Sequence, residues 1–260
     1  MVVVRSILYA IAFYLVTALM LVAGIWLLAA PRRWAMQGLR LHGLVCTFLL
    51  RVICGTRLEV RGRQNLPAGA CLVVAKHQSA WETFALVPLL KDPAIVLKDE
   101  LKWIPVYGWF CVKFEHILVK RDRAAVALKR MLGDAKSRAA AGRQVLIFPE
   151  GTRQQPGNVP DYKPGFVALY ESLGVPCVPL ALNSGLYWPR RDFRRYPGTI
   201  VVEILAPIPP GLPRAAFKTR VVDSIEAACD RLLAEAAASP SPPPLGAEAR
   251  IRLDQIKIRT

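Results

Sequence analysis

The fold reading turns on Ala70-Cys71-Leu72-Val73-Val74-Ala75-Lys76-His77-Gln78-Ser79-Ala80-Trp81-Glu82. Its first six residues are apolar without alternation, the pattern of a strand covered on both faces. A polar turn follows, and the segment from Trp81 to Leu90 predicts a helix. A buried strand that turns into a helix is the repeating unit of α/β sheets, so the stretch predicts a mixed or mostly parallel sheet flanked by helices. The unit recurs at Val145 to Phe148, which runs into the turn Pro149-Glu150-Gly151.

Arg57 to Arg61 alternates like a half-exposed strand. Ala94 to Leu97, Ile117 to Val119, Val175 to Leu182 and Thr199 to Leu205 are further short strand candidates. Arg123 to Gly142, alanine-rich and basic, predicts a surface helix. Upstream, no charged residue occurs from Ser6 to Ala30. A helix of that length rises about 37 Å, enough for the roughly 30 Å core of a bilayer. A signal peptide is the competing reading. The length of the run and the lack of a small-x-small site before Pro31 favour an uncleaved anchor. Trp34 to Cys54 is a second apolar segment, with Arg40, Thr47 and Arg51 at helical spacing. That pattern suits a helix lying on a membrane or packed back on the first segment, which itself either spans or dips in and returns. Arg32, Arg33 and Arg40 argue for a body on the cytoplasmic side, as at a bacterial inner membrane. Ser239 to Pro244 reads SPSPPP, a linker, and the polar, basic stretch from Ala247 to Thr260 reads as a disordered or membrane-touching tail. The expected organisation is membrane-anchoring helices over 1–55, an α/β domain over 56–236, and a Pro-rich linker with a basic tail over 237–260.

Composition points the same way. The 260 residues are 53% hydrophobic, with a mean hydropathy of +0.31, more apolar than most water-soluble domains. A formal charge of +16, from 35 basic and 19 acidic residues, favours anionic partners: lipid headgroups, phosphorylated substrates or nucleic acid. Cys46, Cys54, Cys71, Cys111, Cys177 and Cys229 form no CxxC pair and no zinc-ligand spacing. They read as buried thiols in a reducing compartment, and no metal or other cofactor is expected. There is no G-x-S-x-G elbow, Walker A loop, Rossmann glycine fingerprint or H-E-x-x-H, which argues against serine hydrolases, nucleotide binders and zinc proteases.

Two turns carry the candidate chemistry. His77 and Glu82 lie five positions apart after a buried strand, where active-site residues of α/β sheets collect. A neutral imidazole can take a proton from a hydroxyl while a carboxylate on its other nitrogen fixes the tautomer. Equally, Ser79-x-x-Glu82 fits a capping box, with His77 an ordinary loop residue. In Phe148-Pro149-Glu150-Gly151-Thr152-Arg153, Gly151 lets backbone approach an anion, while Thr152 and Arg153 offer donors suited to phosphate. A solvated turn is the plainer reading. Lys120-Arg121 and Lys163 add cations at strand ends, and His42 and His116 sit in apolar surroundings.

Taken together, these blocks resemble the 1-acylglycerol-3-phosphate O-acyltransferase family of glycerolipid acyltransferases. The family's His-x4-Asp is matched by His77 to Glu82, with glutamate in place of aspartate. Its second block is matched by His116 to Arg121, its third by Phe148 to Arg153, and its Val-Pro-x-x-Pro run by Val175 to Pro179. The resemblance implies an acyltransferase that esterifies the sn-2 hydroxyl of 1-acyl-sn-glycerol-3-phosphate from acyl-CoA or acyl carrier protein, giving phosphatidic acid. It implies His77 as the base oriented by Glu82. Arg121, Gly151, Thr152, Arg153 and Lys163 are implied to hold the lysolipid phosphate, with Glu150 positioning them or a glycerol hydroxyl. The expected partners are a lysophospholipid, the acyl donor and the bilayer, not nucleic acid. Open alternatives are another lyso-acceptor such as lyso-ornithine lipid, a thioesterase, and a non-catalytic basic protein binding membrane or nucleic acid.

Overall fold

A computed structural model describes residues 1–120 and 124–259. Each of the seven strand candidates forms a strand: β1 (Thr56–Arg61), β2 (Leu72–Ala75), β3 (Pro93–Lys98), β4 (Ile117–Val119), β5 (Gln144–Ile147), β6 (Cys177–Leu182) and β7 (Gly198–Ile204). They make one sheet in the order β1-β7-β6-β2-β5-β3-β4. The sheet is mixed, since β6 and β7 pair antiparallel and the other neighbours pair parallel. Every residue of β2, β5 and β6 is buried, as their unbroken apolar runs require at the centre of a sheet. The alternating β1 lies at an edge.

The helices are α1 (Val2–Ala23), α2 (Arg32–Leu49), α3 (Glu82–Ala85), α4 (Tyr107–Lys113), α5 (Ala124–Ala140), α6 (Gly165–Leu173), α7 (Ser184–Tyr187), α8 (Arg214–Ala237) and α9 (Ala247–Arg259). Val73 and Ala75 of β2, with Cys71 just before it, point into one core with Tyr9, Cys46, Phe84 and Trp188. Leu72 and Val74 point into the other, with Phe166, Tyr170, Phe217 and Val221. The helix predicted from Trp81 to Leu90 is shorter than expected. It stops at Ala85 and a single tighter turn, Val87–Leu89, follows. Pro88 has no N–H to continue the ladder and disfavours helical backbone at the residue before it.

The two N-terminal segments form an antiparallel hairpin. The Tyr9 hydroxyl donates to the Cys46 carbonyl at 3.3 Å, and Thr17 Oγ1 lies 2.9 Å from His42 Nε2. Arg40 is half-buried against the sheet domain. It donates to the carbonyls of Pro88, Leu90 and Lys91, while Arg32 holds Asp92 through two bonds of 2.8 and 2.7 Å. The hairpin is thus fastened along the sheet domain by its polar side. Its outer side exposes Leu8, Ile11, Leu15 and Leu19 on α1 and Leu41, Leu44 and Phe48 on α2. Both helical segments are long and apolar enough to cross a membrane.

The C-terminal tail also differs from expectation. Beyond the SPSPPP linker, residues 247–259 form α9, packed on α8. Arg252 clasps Asp230 of α8 at 2.8 and 2.5 Å, and Leu253 and Ile256 reach the core. That partner is 22 residues distant, out of reach of any local pattern. The six cysteines are free thiols, five of them buried.

Candidate active site

Strands β2 and β5 are parallel neighbours, with Val74 opposite Ile147. Carrying that register past the strand ends brings the two polar turns side by side. The Glu150 carboxylate accepts the His77 backbone N–H on Oε2 at 2.7 Å, and the His77 carbonyl accepts the Gln154 N–H at 2.8 Å. The His77 ring stacks on Phe148 with centroids 4.3 Å apart. Two motifs separated by about seventy residues thus form one wall.

Glu82 opens α3 and is fully buried. Its Oε1 accepts the backbone N–H groups of Gln78 at 2.6 Å and Ser79 at 2.8 Å, and lies 3.7 Å from His77 Nδ1. Nδ1 is buried and has no hydrogen-bond partner among the described residues. Burial alone would raise the Glu82 carboxyl, but the His77 side chain and the two backbone donors outweigh it, so it is held below the usual carboxylate range. The capping and imidazole-facing readings of Glu82 are therefore met by one carboxylate. The capping box is half made, because Ser79 Oγ accepts the Trp81 N–H at 2.8 Å and not that of Glu82.

The second turn is shaped by Gly151, whose φ of 65° is the left-handed conformation that favours glycine. Thr152 is half-buried and Arg153 exposed beside it. Glu150 faces inward: its Oε1 lies 2.8 Å from Lys76 Nζ, and its side chain has no exposure. Burial raises the Glu150 carboxyl, and the Lys76 ammonium opposes that rise. Lys163 is not drawn into the cluster. Its side chain is exposed and paired with Asp161, and its backbone N–H reaches the Pro149 carbonyl at 2.9 Å. Arg121 lies outside the described residues. Lys120 directly follows β4, on the same carboxyl edge as β2, β5 and β3.

The other histidines are structural. His116 is buried, accepts the Ile95 N–H on Nδ1 at 3.3 Å, and is lowered by burial to about 3. Sequence reasoning gave no role to Lys76, Glu226 or Tyr162, which meet behind the His77 turn. The available signal was a lysine placed directly after a fully buried strand.

Residues 57–183 match the family model described as Acyltransferase. The match spans just under half of the chain. The chain is similar to 1-acyl-sn-glycerol-3-phosphate acyltransferase of Pseudomonas aeruginosa, 41% identical over 157 residues, 60% of this chain and 61% of the relative. The alpha form of the same-named enzyme from Mus musculus is 30% identical over 162 residues, 61% of this chain and 57% of the relative. The alignments thus span about three-fifths of these curated relatives. The crystal structure of the 1-acyl-sn-glycerophosphate (LPA) acyltransferase PlsC from Thermotoga maritima superposes with a TM-score of 0.77. At 22% identity it covers 93% of this chain and 100% of its own, so the chain shares its fold.

Proposed function

We propose that this protein transfers a fatty acyl group from acyl-CoA or acyl carrier protein to the sn-2 hydroxyl of 1-acyl-sn-glycerol-3-phosphate, giving phosphatidic acid. The observation that carries the reading is His77, stacked on Phe148 with Nδ1 facing buried Glu82. Nε2 has no partner among the described residues and is the nitrogen left for substrate. The printed names of the Pseudomonas aeruginosa and mouse relatives support the choice of acceptor.

His77 Nε2 takes the proton of the lysolipid hydroxyl as its oxygen attacks the thioester carbonyl. Glu82 stabilises the imidazolium that forms. The tetrahedral oxyanion collapses, the C–S bond breaks, and the thiolate recovers the proton from His77. No acyl-enzyme is required. Arg153 and the Thr152 hydroxyl, with Arg121, bind the lysolipid phosphate, and Gly151 lets the backbone of the turn come close to it. The outer face of the hairpin seats in the bilayer that supplies lysolipid, and exposed Arg5, Arg33 and Arg51 meet anionic headgroups of the cytoplasmic leaflet. Protease added to inverted inner-membrane vesicles, but not to spheroplasts, is expected to cleave the domain.

The test is thiol release from oleoyl-CoA by detergent-solubilised protein, with and without 1-acylglycerol-3-phosphate, beside His77→Ala. Release that needs the lysolipid and vanishes in a folded variant is the expected result. Release without acceptor indicates a thioesterase, and wild-type turnover by His77→Ala removes the proposed base.

A further inference from the structure

Behind the His77 turn lies a buried charge cluster that acyl transfer leaves unused. Successive strand residues face opposite sides of a sheet, so Lys76 points away from His77. Its side chain is 4% exposed, and its ammonium lies 2.8 Å from Glu150 Oε1 and 2.7 Å from Glu226 Oε1 of α8. The Tyr162 hydroxyl donates to that same Glu226 oxygen at 2.8 Å, and its ring lies under the Lys76 ammonium at 5.4 Å. Burial opposes the charge on Lys76, yet Glu150 and Glu226 more than offset this and hold it protonated well above the ordinary lysine range.

A lysine shared by two carboxylates away from water fixes all three groups, because freeing any one leaves a charge without its partner. The consequence falls on Glu150. Oε1 is committed to Lys76, so Oε2 is committed to the His77 N–H.

The C-terminal helix lies beside the cluster. Lys76 and Glu226 line a cavity of about 420 Å³ whose wall includes Glu248 and Arg252 of α9. Gly157, at φ 87°, lets α9 sit against the loop that follows Arg153; a Cβ there would lie 2.5 Å from the Glu248 carbonyl oxygen. Arg252 anchors α9 to Asp230, one turn of α8 beyond Glu226.

We propose that Lys76 and Glu226 are positioning residues of the acyl-transfer reaction: Glu226 holds Lys76, Lys76 sets the orientation of Glu150, and Glu150 holds the backbone of His77 where its imidazole meets Glu82. The inference rests on the function proposed above. Helix α8, from the far side of the sheet, thereby governs the geometry of the base.

The experiment compares full-length, detergent-solubilised wild type with Lys76→Met, Lys76→Arg, Glu226→Gln and Tyr162→Phe. Two quantities are read: kcat and KM for lysolipid-dependent thiol release, and hydrogen exchange at the amides of 72–80. Lys76→Met and Glu226→Gln are expected to lower kcat by about 10- to 100-fold, the scale of a reacting group misplaced by up to an ångström, with KM for both substrates within about twofold. The His77 amide exchanges faster in both. Lys76→Arg, which keeps the charge, recovers part of kcat, and Tyr162→Phe gives a smaller loss in the same direction. If Lys76→Met does not fold, Glu226→Gln and Tyr162→Phe, at the rim of the cluster, decide the matter. Wild-type kcat and exchange in those two folded variants overturn the proposal, as does a rise in KM at unchanged kcat. Wild-type protein without lysolipid-dependent release refutes the functional reading instead, and the exchange arm then tests the link from Glu226 to the His77 amide by itself.

Discussion

Replacing Glu82 by glutamine removes one charge and almost no volume, so it isolates the electrostatic part of the His77 pair. The carboxylate oxygen stands 3.7 Å from Nδ1, with side-chain exposures of 0% for Glu82 and 14% for His77. At an effective dielectric of about 20, unit charges at that separation attract by about 4 kcal/mol. The attraction develops as the imidazolium forms and is absent from the neutral ground state, so it acts on kcat. About 4 kcal/mol corresponds to roughly a thousandfold in rate. Stability falls as well. Glu82 Oε1 and Oε2 both accept from Ser79, at 2.8 and 3.1 Å, and a glutamine must turn an NH2 toward one of these donors. That mismatch costs about 1–3 kcal/mol, a fall of a few degrees in melting temperature for a chain of this size. The assay is single-turnover thiol release at saturating lysolipid, with thermal unfolding run in parallel. Glu82→Asp, which keeps the charge, is the control and is expected to retain far more activity than Glu82→Gln. A folded Glu82→Gln protein within tenfold of wild-type kcat would refute the reasoning.

Other consequences are open to direct test. Arg153→Ala is expected to raise the lysolipid KM about 10- to 100-fold at nearly constant kcat, the scale of one charge-assisted contact to phosphate; an unchanged KM places the phosphate elsewhere. Glu82 is held below its ordinary value of 4.5, so its stabilisation is complete above that pH and is lost as pH falls through the lower folded-state value. The urea midpoint of wild type is therefore expected to drop more between about pH 5 and pH 3 than that of Glu82→Gln; parallel curves contradict this. Leu44→Asp with Phe48→Asp, on the exposed face of α2, is expected to cut flotation with anionic vesicles by about 100-fold or more, since each apolar side chain contributes about 1.5–3 kcal/mol when buried. Wild-type flotation would mean that another surface carries the contact.

Legibility in the sequence followed the range of the forces involved. Strand β2 and its neighbours were readable because burial on both faces writes an unbroken apolar run into a few consecutive residues. The hairpin was readable as two apolar segments, and its packed-back form was one of two readings left open. The direction of β7 was not readable, since a strand has the same pattern whether it pairs parallel or antiparallel with β6. The end of α3 was marked by Pro88, yet the apolar spacing beyond it masked the break. Helix α9 read as a tail because its anchor, Asp230, is on another helix.

The candidate site divides along the same line. Sequence alone determined that His77 and Glu82 flank one turn and that Glu150, Gly151, Thr152 and Arg153 form another, because each set is contiguous and its spacing is chemical. Only the tertiary structure decided that the two turns touch. The pairing of β2 with β5 sets their register and delivers the Glu150 carboxylate to the His77 N–H. The tertiary fold also decided that Glu150 faces inward and that Lys76 serves two carboxylates, one of them 150 residues away on α8. A buried charge takes its partner from whatever element packs nearest, and no local pattern records which element that is.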